Sequence, residues 1–278
     1  KGRIFGSDKA IKYPMKVKWV NEDEKVLYIK SYKEEKNAIS PKALGERYEE
    51  LFGEKVAKKT STNEVVSNLF KCVDVMNFGA TFAEAGCNIS ITGAVQFGQG
   101  FNLYEDTRVE VQDILSPFRN SKKDDANNSS LGTKIIADET HYCYPFSINP
   151  ENYNNYKGLI NGFEGYTKDA YEKFKDAALI SATAFATNSK FACENEYSIF
   201  VEMKEGSKQA LPNLARYVEF SKEKNMSILD INKLGKLSNQ INDIESVEVY
   251  YNPITIDIKN CETCKNIKVF NILTREVM

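Results

Sequence analysis

Apolar residues fall at helical spacing in some stretches of the chain and alternate with polar ones in others. Between Lys9 and Trp19, the residues Ile11, Met15 and Trp19 stand at i, i+4 and i+8, which predicts one buried helix face behind an N-cap at Ser7-Asp8. Lys9, Lys12 and Lys16 make a separate stripe on that helix. Pro14 lies inside the pattern and is expected to kink the helix or mark its true start, because it removes one backbone donor. Val26 to Tyr32 reads as a strand. A helix is expected near Ser40-Pro41, with the proline in its first turn, Leu44, Tyr48, Leu51 and Phe52 on its apolar face, and a turn at Gly53. Ser61 to Phe70 also reads as helix, preceded by the basic cluster Lys55, Lys58 and Lys59.

Further on, Ile89, Ile91, Ala94, Val95 and Phe97 alternate as a strand does, punctuated by Gly93, Gly98 and Gly100. Glycines there mark a bulge or the close approach of another backbone. Gly98-Gln99-Gly100 is followed by neither Lys-Ser/Thr nor a helix pattern, so a nucleotide phosphate loop is rejected. Thr107 to Val111 alternates, Ser116 to Asn120 breaks the alternation, Ser121 to Ser130 is polar, and Lys134 to Ala137 resumes it. This predicts a long arm over 106–137, of the kind that carries function. Thr167 caps an amphipathic helix reaching Phe185, with Tyr171, Phe174 and Ala178 inward. Tyr197 to Met203, Val247 to Ile258 and Ile267 to Leu273 read as strands, with a break at Asn252-Pro253. Strands and helices alternate without internal repeats, so the class is α+β.

Composition narrows this picture. At 278 residues, 42% hydrophobic and 27% charged, the chain can bury a real core, and disordered, collagen-like and disulfide-scaffold classes are excluded. His141 is the sole histidine, which argues against multi-histidine zinc sites and most histidine relays. No apolar run approaches the roughly 20 residues that cross a bilayer, and no signal peptide is apparent. The first residue is Lys, so the numbering is expected to start inside a longer protein. Six cysteines in mostly apolar surroundings suit a reducing cytoplasm. Cys261 and Cys264 form one CxxC without the second pair of a four-cysteine zinc site, and no cofactor is expected.

The net charge of −2 hides an asymmetry: residues 1–59 hold 15 Lys or Arg against 10 Asp or Glu, and the remainder holds 22 against 29. A basic amino end of this kind suits a polyanion partner. Phe118, flanked by Arg119, Lys122 and Lys123, suits an arm that wedges a ring between bases while its cations meet phosphates.

Four ordered segments carry a likeness: Gly2 to Ala10 (GRIFGSDKA), Asp74 to Ala80 (DVMNFGA), Ile91 to Gly98 (ITGAVQFG), and Leu131 to Lys134 followed by Phe146 to Pro150. Together they resemble the repeating backbone subunit of type I CRISPR surveillance complexes, most closely the type I-B Cascade form, within the repeat-associated mysterious protein superfamily. The likeness runs from the amino end to about Met203. It implies an RNA-recognition-motif-like (ferredoxin-like) palm, a finger-like insertion over 20–72 and a β-hairpin thumb over 106–137. It also implies a cytoplasmic, non-membrane subunit that stacks with further copies of itself along CRISPR RNA, joins other Cascade subunits and presents the guide to target DNA. Mapped here, RNA contacts are expected from Ser7, Lys9, Lys12 and Lys16, from Gln96, Gln99 and Asn102, and from the thumb residues Arg108, Phe118, Arg119, Lys122, Lys123 and Lys134. Two departures stand out. The family's first strand and loop do not precede the Gly-Ser-Asp-Lys segment in this numbering, and Phe101 and Asn102 follow Gly100 where relatives often carry a basic residue.

The alternative is a type III-like filament subunit in which Asp8 directs metal-dependent cleavage of target RNA, with Asp138, Glu139 and His141 as a second carboxylate cluster. Asp8 at a helix start is also what the helix dipole favours. No catalysis is expected from this chain.

Overall fold

The computed structural model describes residues 2–35, 37–115 and 130–278. The chain opens with β1 (Phe5–Gly6) and α1 (Asp8–Asn21), followed by β2 (Tyr32–Glu35), β3 (Ala38–Pro41), α2 (Leu44–Phe52), α3 (Thr62–Leu69) and α4 (Val73–Phe78). Short strands come next: β4 (Gly79–Glu84), β5 (Cys87–Thr92), β6 (Val95–Phe97) and β7 (Gly100–Asn102). A hairpin of β8 (Val109–Leu115) and β9 (Ser130–Ala137) leads to β10 (Tyr142–Cys143), β11 (Phe146–Ile148) and α5 (Lys168–Ile180). The remainder is β12 (Tyr197–Met203), β13 (Glu219–Glu223), β14 (Met226–Asp230), α6 (Asn232–Gln240), β15 (Ile244–Tyr251), β16 (Ile256–Lys259) and β17 (Ile267–Asn271). The architecture is mixed α+β, with its described strands in seven small sheets of two or three strands each. Among the described residues no helix is long and apolar enough to cross a membrane.

Three apolar clusters hold these elements together. The first joins Tyr48 of α2, Val65 and Leu69 of α3, Val75 of α4 and Phe82 of β4. The second is built from both ends of the chain: Met15 and Trp19 of α1 meet Phe174 of α5, Phe200 of β12, Tyr250 of β15 and Ile272. The third lies under β14, α6, β15 and β16, with Leu229, Leu234 and Val247 at its centre. Burying each such side chain contributes about 1.5–3 kcal/mol.

The expected face of α1 is inward, since Met15 and Trp19 are fully buried and the Trp19 indole N–H donates to the Lys173 carbonyl at 3.2 Å. The helix runs unbroken through Pro14, which is itself buried. Val26 to Tyr32 departs from the expected strand. The backbone N–H groups of Leu27 and Tyr28 donate to the Asp74 carboxylate, at 2.9 Å each, and the Val26 carbonyl accepts from the Arg47 guanidinium at 2.7 Å. Side chains take the bonds a neighbouring strand would have made. Ser40 and Pro41 end β3 rather than start a helix, and α2 begins at Leu44 with the predicted apolar face and its left-handed cap at Gly53.

The single strand expected through Ile89 to Phe97 is two, β5 and β6, parted at Gly93. A Cβ on Gly93 would lie 2.2 Å from the Phe78 carbonyl carbon, and one on Gly79 would lie 2.1 Å from the Ile91 oxygen, so the two backbones touch where only glycine fits. Tyr153 pins this crossing, its buried hydroxyl accepting from the Ala94 N–H at 3.1 Å and donating to the Met76 carbonyl at 2.8 Å. The helix expected to reach Phe185 closes at Ile180, with Thr167 capping the Ala170 N–H as read from the sequence. Strand β12 and the break at Asn252-Pro253 stand where expected.

Candidate nucleic-acid interface

The β8–β9 hairpin occupies the predicted arm. Its register pairs Val109 with Ala137 and Val111 with Ile135, and every residue of β8 is exposed. Val111 is 66% exposed and Ile135 is 72% exposed, so apolar side chains stand in solvent on an element that has no fully buried side chain among the described residues. An arm of this composition is built to be covered by something else.

Its base is fixed to the body. The backbones of Arg108 and Asp138 bond at 3.2 Å, and the Asp138 carboxylate also accepts from the Arg108 N–H at 2.8 Å. Asn102, at the end of β7, uses its whole amide in this joint. Its nitrogen donates to the Tyr104 carbonyl at 2.8 Å and to the Thr107 hydroxyl at 2.7 Å, and its oxygen accepts from the backbone N–H groups of His141 at 2.9 Å and Tyr104 at 3.2 Å. Asn102 is therefore the strut of the hairpin base.

His141 sits behind the strut. Its Nδ1 lies 2.7 Å from Glu196 Oε2 and its Nε2 lies 2.9 Å from Glu139 Oε1, and Glu139 also pairs with Lys222. Burial disfavours a charged ring here, but the two carboxylates outweigh it and raise the histidine's pKa above the ordinary value. The bond from Lys222, followed by that from His141, holds the Glu139 carboxyl below its usual range. The cluster read from the sequence as Asp138, Glu139 and His141 thus ties the hairpin base to β13 through Lys222 and to β12's approach through Glu196.

The lysine stripe of α1 splits. Ser7 is the N-cap residue, extended and without a side-chain capping bond. Lys9 is exposed and makes no ion pair among the described residues. Lys12 pairs with Asp8 at 3.0 Å and lies over the rings of Phe78 and Phe97 at 5.3 and 5.9 Å. Burial raises the Asp8 carboxyl, but Lys12 and the Lys9 backbone N–H overcome this and its pKa is lowered. Lys16 is tucked inward, bonded to the Tyr28 carbonyl at 3.3 Å and 3.7 Å from the fully buried Asp74 carboxylate; burial lowers its pKa. Charge that the sequence places on one solvent stripe is thus partly spent inside the protein.

Gln96 is exposed and donates to the Gly93 carbonyl at 2.9 Å, while Gln99 is exposed between β6 and β7. Gln96 and Lys134 line one broad, open groove, together with Arg3, Phe5 and Phe191. Arg108 is exposed at the hairpin base. The expected contacts Phe118, Arg119, Lys122 and Lys123 lie outside the described residues.

Arg3 and Phe5 are additions to the residues read from the sequence. The Arg3 guanidinium carbon stands 3.8 Å from the centroid of the Phe101 ring, so a cation reaches that position from the segment leading into β1. They stand in the Gly2 to Ala10 segment, but the local signal, the alternation Arg3-Ile4-Phe5 ahead of Gly6, is too short to distinguish from a loop. All six cysteines are free thiols, and burial, followed by the neighbouring Cys264, pushes the Cys261 thiol up to about 11. Among the described residues no group of three or more His, Cys, Asp or Glu is placed to hold a metal ion.

A protein-family model described as CRISPR-associated protein Cas7 matches residues 1–250. No curated protein matches the chain.

Proposed function

The chain belongs to the CRISPR-associated Cas7 family, a family of CRISPR-RNA-binding filament subunits of effector complexes, and from that premise we propose that it is the guide-binding backbone subunit of a type I-B complex. In this reading several copies stack along one CRISPR RNA and hold it for pairing with target DNA. The observation that carries it, beside the family match, is the β8–β9 hairpin: an arm fixed at its base, exposed along all of β8, with no fully buried side chain among its described residues. The four ordered motifs support the type I-B form. An RNA-recognition-motif-like palm, a finger over 20–72 holding β2, β3, α2 and α3, and a thumb over 106–137 belong to the same proposal.

Exposed cations do the sequence-independent part of the work, neutralising phosphate and releasing counterions, which suits a subunit that must accept any guide. The exposed Lys9 and Arg108 and the half-buried Lys134 take that role, since Lys12 and Lys16 are engaged with Asp8 and Asp74. The subunit is proposed to be non-catalytic. Asp8 supports this as the first residue of α1, held by Lys12. Cleavage of complementary RNA by the assembled complex with Mg²⁺, abolished by Asp8→Ala, would overturn that assignment.

The reading is tested by the mass and RNA content of the purified particle: a multiple of the 31.5 kDa chain on one RNA is expected, and an RNA-free monomer would refute it. In a filter-binding salt series, Lys9→Glu is expected to weaken binding to unrelated RNA sequences alike and to flatten the salt dependence by about one phosphate contact.

A further inference from the structure

The short sheet at the amino end has two unlike faces. In the antiparallel pairing of β1 with β7, Gly6 stands opposite Gly100 and Phe5 opposite Phe101. A Cβ on Gly6 would fall 2.0 Å from the Tyr144 hydroxyl, and one on Gly100 would fall 2.4 Å from the carbon bearing it, so Tyr144 closes the glycine face. Because successive side chains alternate, Phe5 and Phe101 point to the other face. There the two rings meet at 6.0 Å between centroids and 55° between planes, and Arg3 lies over Phe101 at 3.8 Å.

Phe5 is 54% exposed, Arg3 is exposed, and Arg3 makes no ion pair or hydrogen bond among the described residues. One side of the guanidinium is therefore held by a ring, while its other side and its N–H donors are open. A planar cation fixed on an aromatic ring offers a surface on which a nucleobase can stack, with the donors directed to its phosphate. The exposed Lys9, at the start of the adjoining α1, adds a second positive charge of the sign an RNA strand needs. A carboxylate of a protein partner would engage the charge but would leave the aromatic surface unused.

We propose that Arg3, stacked on Phe101 and flanked by Phe5, is a stacking platform for one unpaired nucleobase of the bound RNA. The proposal rests on the RNA-binding reading above and assigns one base contact within it. Tyr144 holds the strand pair from behind, so the platform exists before RNA arrives and little order is lost on binding.

The test uses the full chain and a single-stranded RNA probe carrying 2-aminopurine at successive positions, read by fluorescence quenching and by affinity. Wild type is expected to quench the probe at some positions. Arg3→Ala and Arg3→Lys are both expected to abolish the quenching and to weaken binding about tenfold, because lysine keeps the charge but loses the plane. Phe5→Ala should give a smaller loss in the same direction. If Arg3→Lys binds and quenches like wild type, Arg3 is a phosphate contact only and the platform is refuted while RNA binding stands. If the Arg3 variants bind RNA normally but fail to self-associate, the partner is protein and the platform is likewise refuted. If wild type binds no RNA, the parent reading itself falls. Arg3 is exposed, so unchanged melting curves confirm that these variants fold.

Discussion

At the scale of single residues, His141 makes the sharpest statement about protonation. Both ring nitrogens face carboxylate oxygens, which accept and do not donate, so the geometry calls for a doubly protonated ring. Its folded pKa is raised above the unfolded value of 6.5, so its contribution to stability is fully present below about pH 6.5 and is lost as pH rises through the folded value. The stability difference between wild type and His141→Gln, followed by urea midpoint, is expected to be largest near pH 6 and to shrink toward pH 8.5. Because the chain has one histidine, its imidazole NMR signals report the titration without assignment. A midpoint at or below 6.5 would contradict the arrangement. Asp74 is a second residue whose long-range partners carry a prediction. Its buried carboxylate receives two backbone N–H groups and faces Lys16, so Asp74→Ala leaves two donors unpaired and takes the counter-charge from Lys16, and should cost about 3–5 kcal/mol in denaturant unfolding. The sequence showed Glu139 beside His141, but the distant partners of both residues were not legible in it. Asp74 meets Leu27 across 47 positions and His141 meets Glu196 across 55, and no local period records such pairings.

At the scale of elements, what could be read was what burial on one face dictates. The inward positions of α1, α2 and α5 and the strand β12 follow from spacing alone, because each packs one stripe against a neighbour. Val26 to Tyr32 has the composition of a strand yet finds its hydrogen bonds at Asp74 and Arg47, and composition cannot say where a donor will be satisfied. Glycine punctuation carried more information than the apolar alternation around it. Gly93 sits against the Phe78 backbone, so Gly93→Ala is expected to lower the melting midpoint by several degrees or prevent folding, whereas Gly2→Ala, with open space around it, should leave the midpoint unchanged. The hairpin behaves oppositely. Replacing residues 111–135 by a two-residue turn removes no side chain that is buried among the described residues, so thermal stability should hold while assembly on RNA is lost, as measured by melting and by sedimentation.

At the scale of the whole molecule, the near-zero net charge conceals a basic amino end, and the structure spends part of that charge internally. Lys12, Lys16, Lys18, Lys33 and Lys42 all hold carboxylates, so the cations left for a polyanion are fewer than a count along the chain suggests. Binding should accordingly lose affinity with salt at a slope set by a handful of phosphates per subunit rather than by the 15 cations of residues 1–59. The second apolar cluster has a different consequence. It is shared by segments on both sides of the hairpin, with Met15, Trp19 and Val95 before it and Phe174, Phe200 and Tyr250 after it. The third cluster lies wholly after the hairpin, but neither half completes the second, so a chain cut between 115 and 130 should yield two pieces that leave this shared cluster open when alone and close it when co-expressed. The protein can in this way be divided into complementing fragments, whose reunion, read as a single co-purifying pair, would convert assembly of the core into a binary signal.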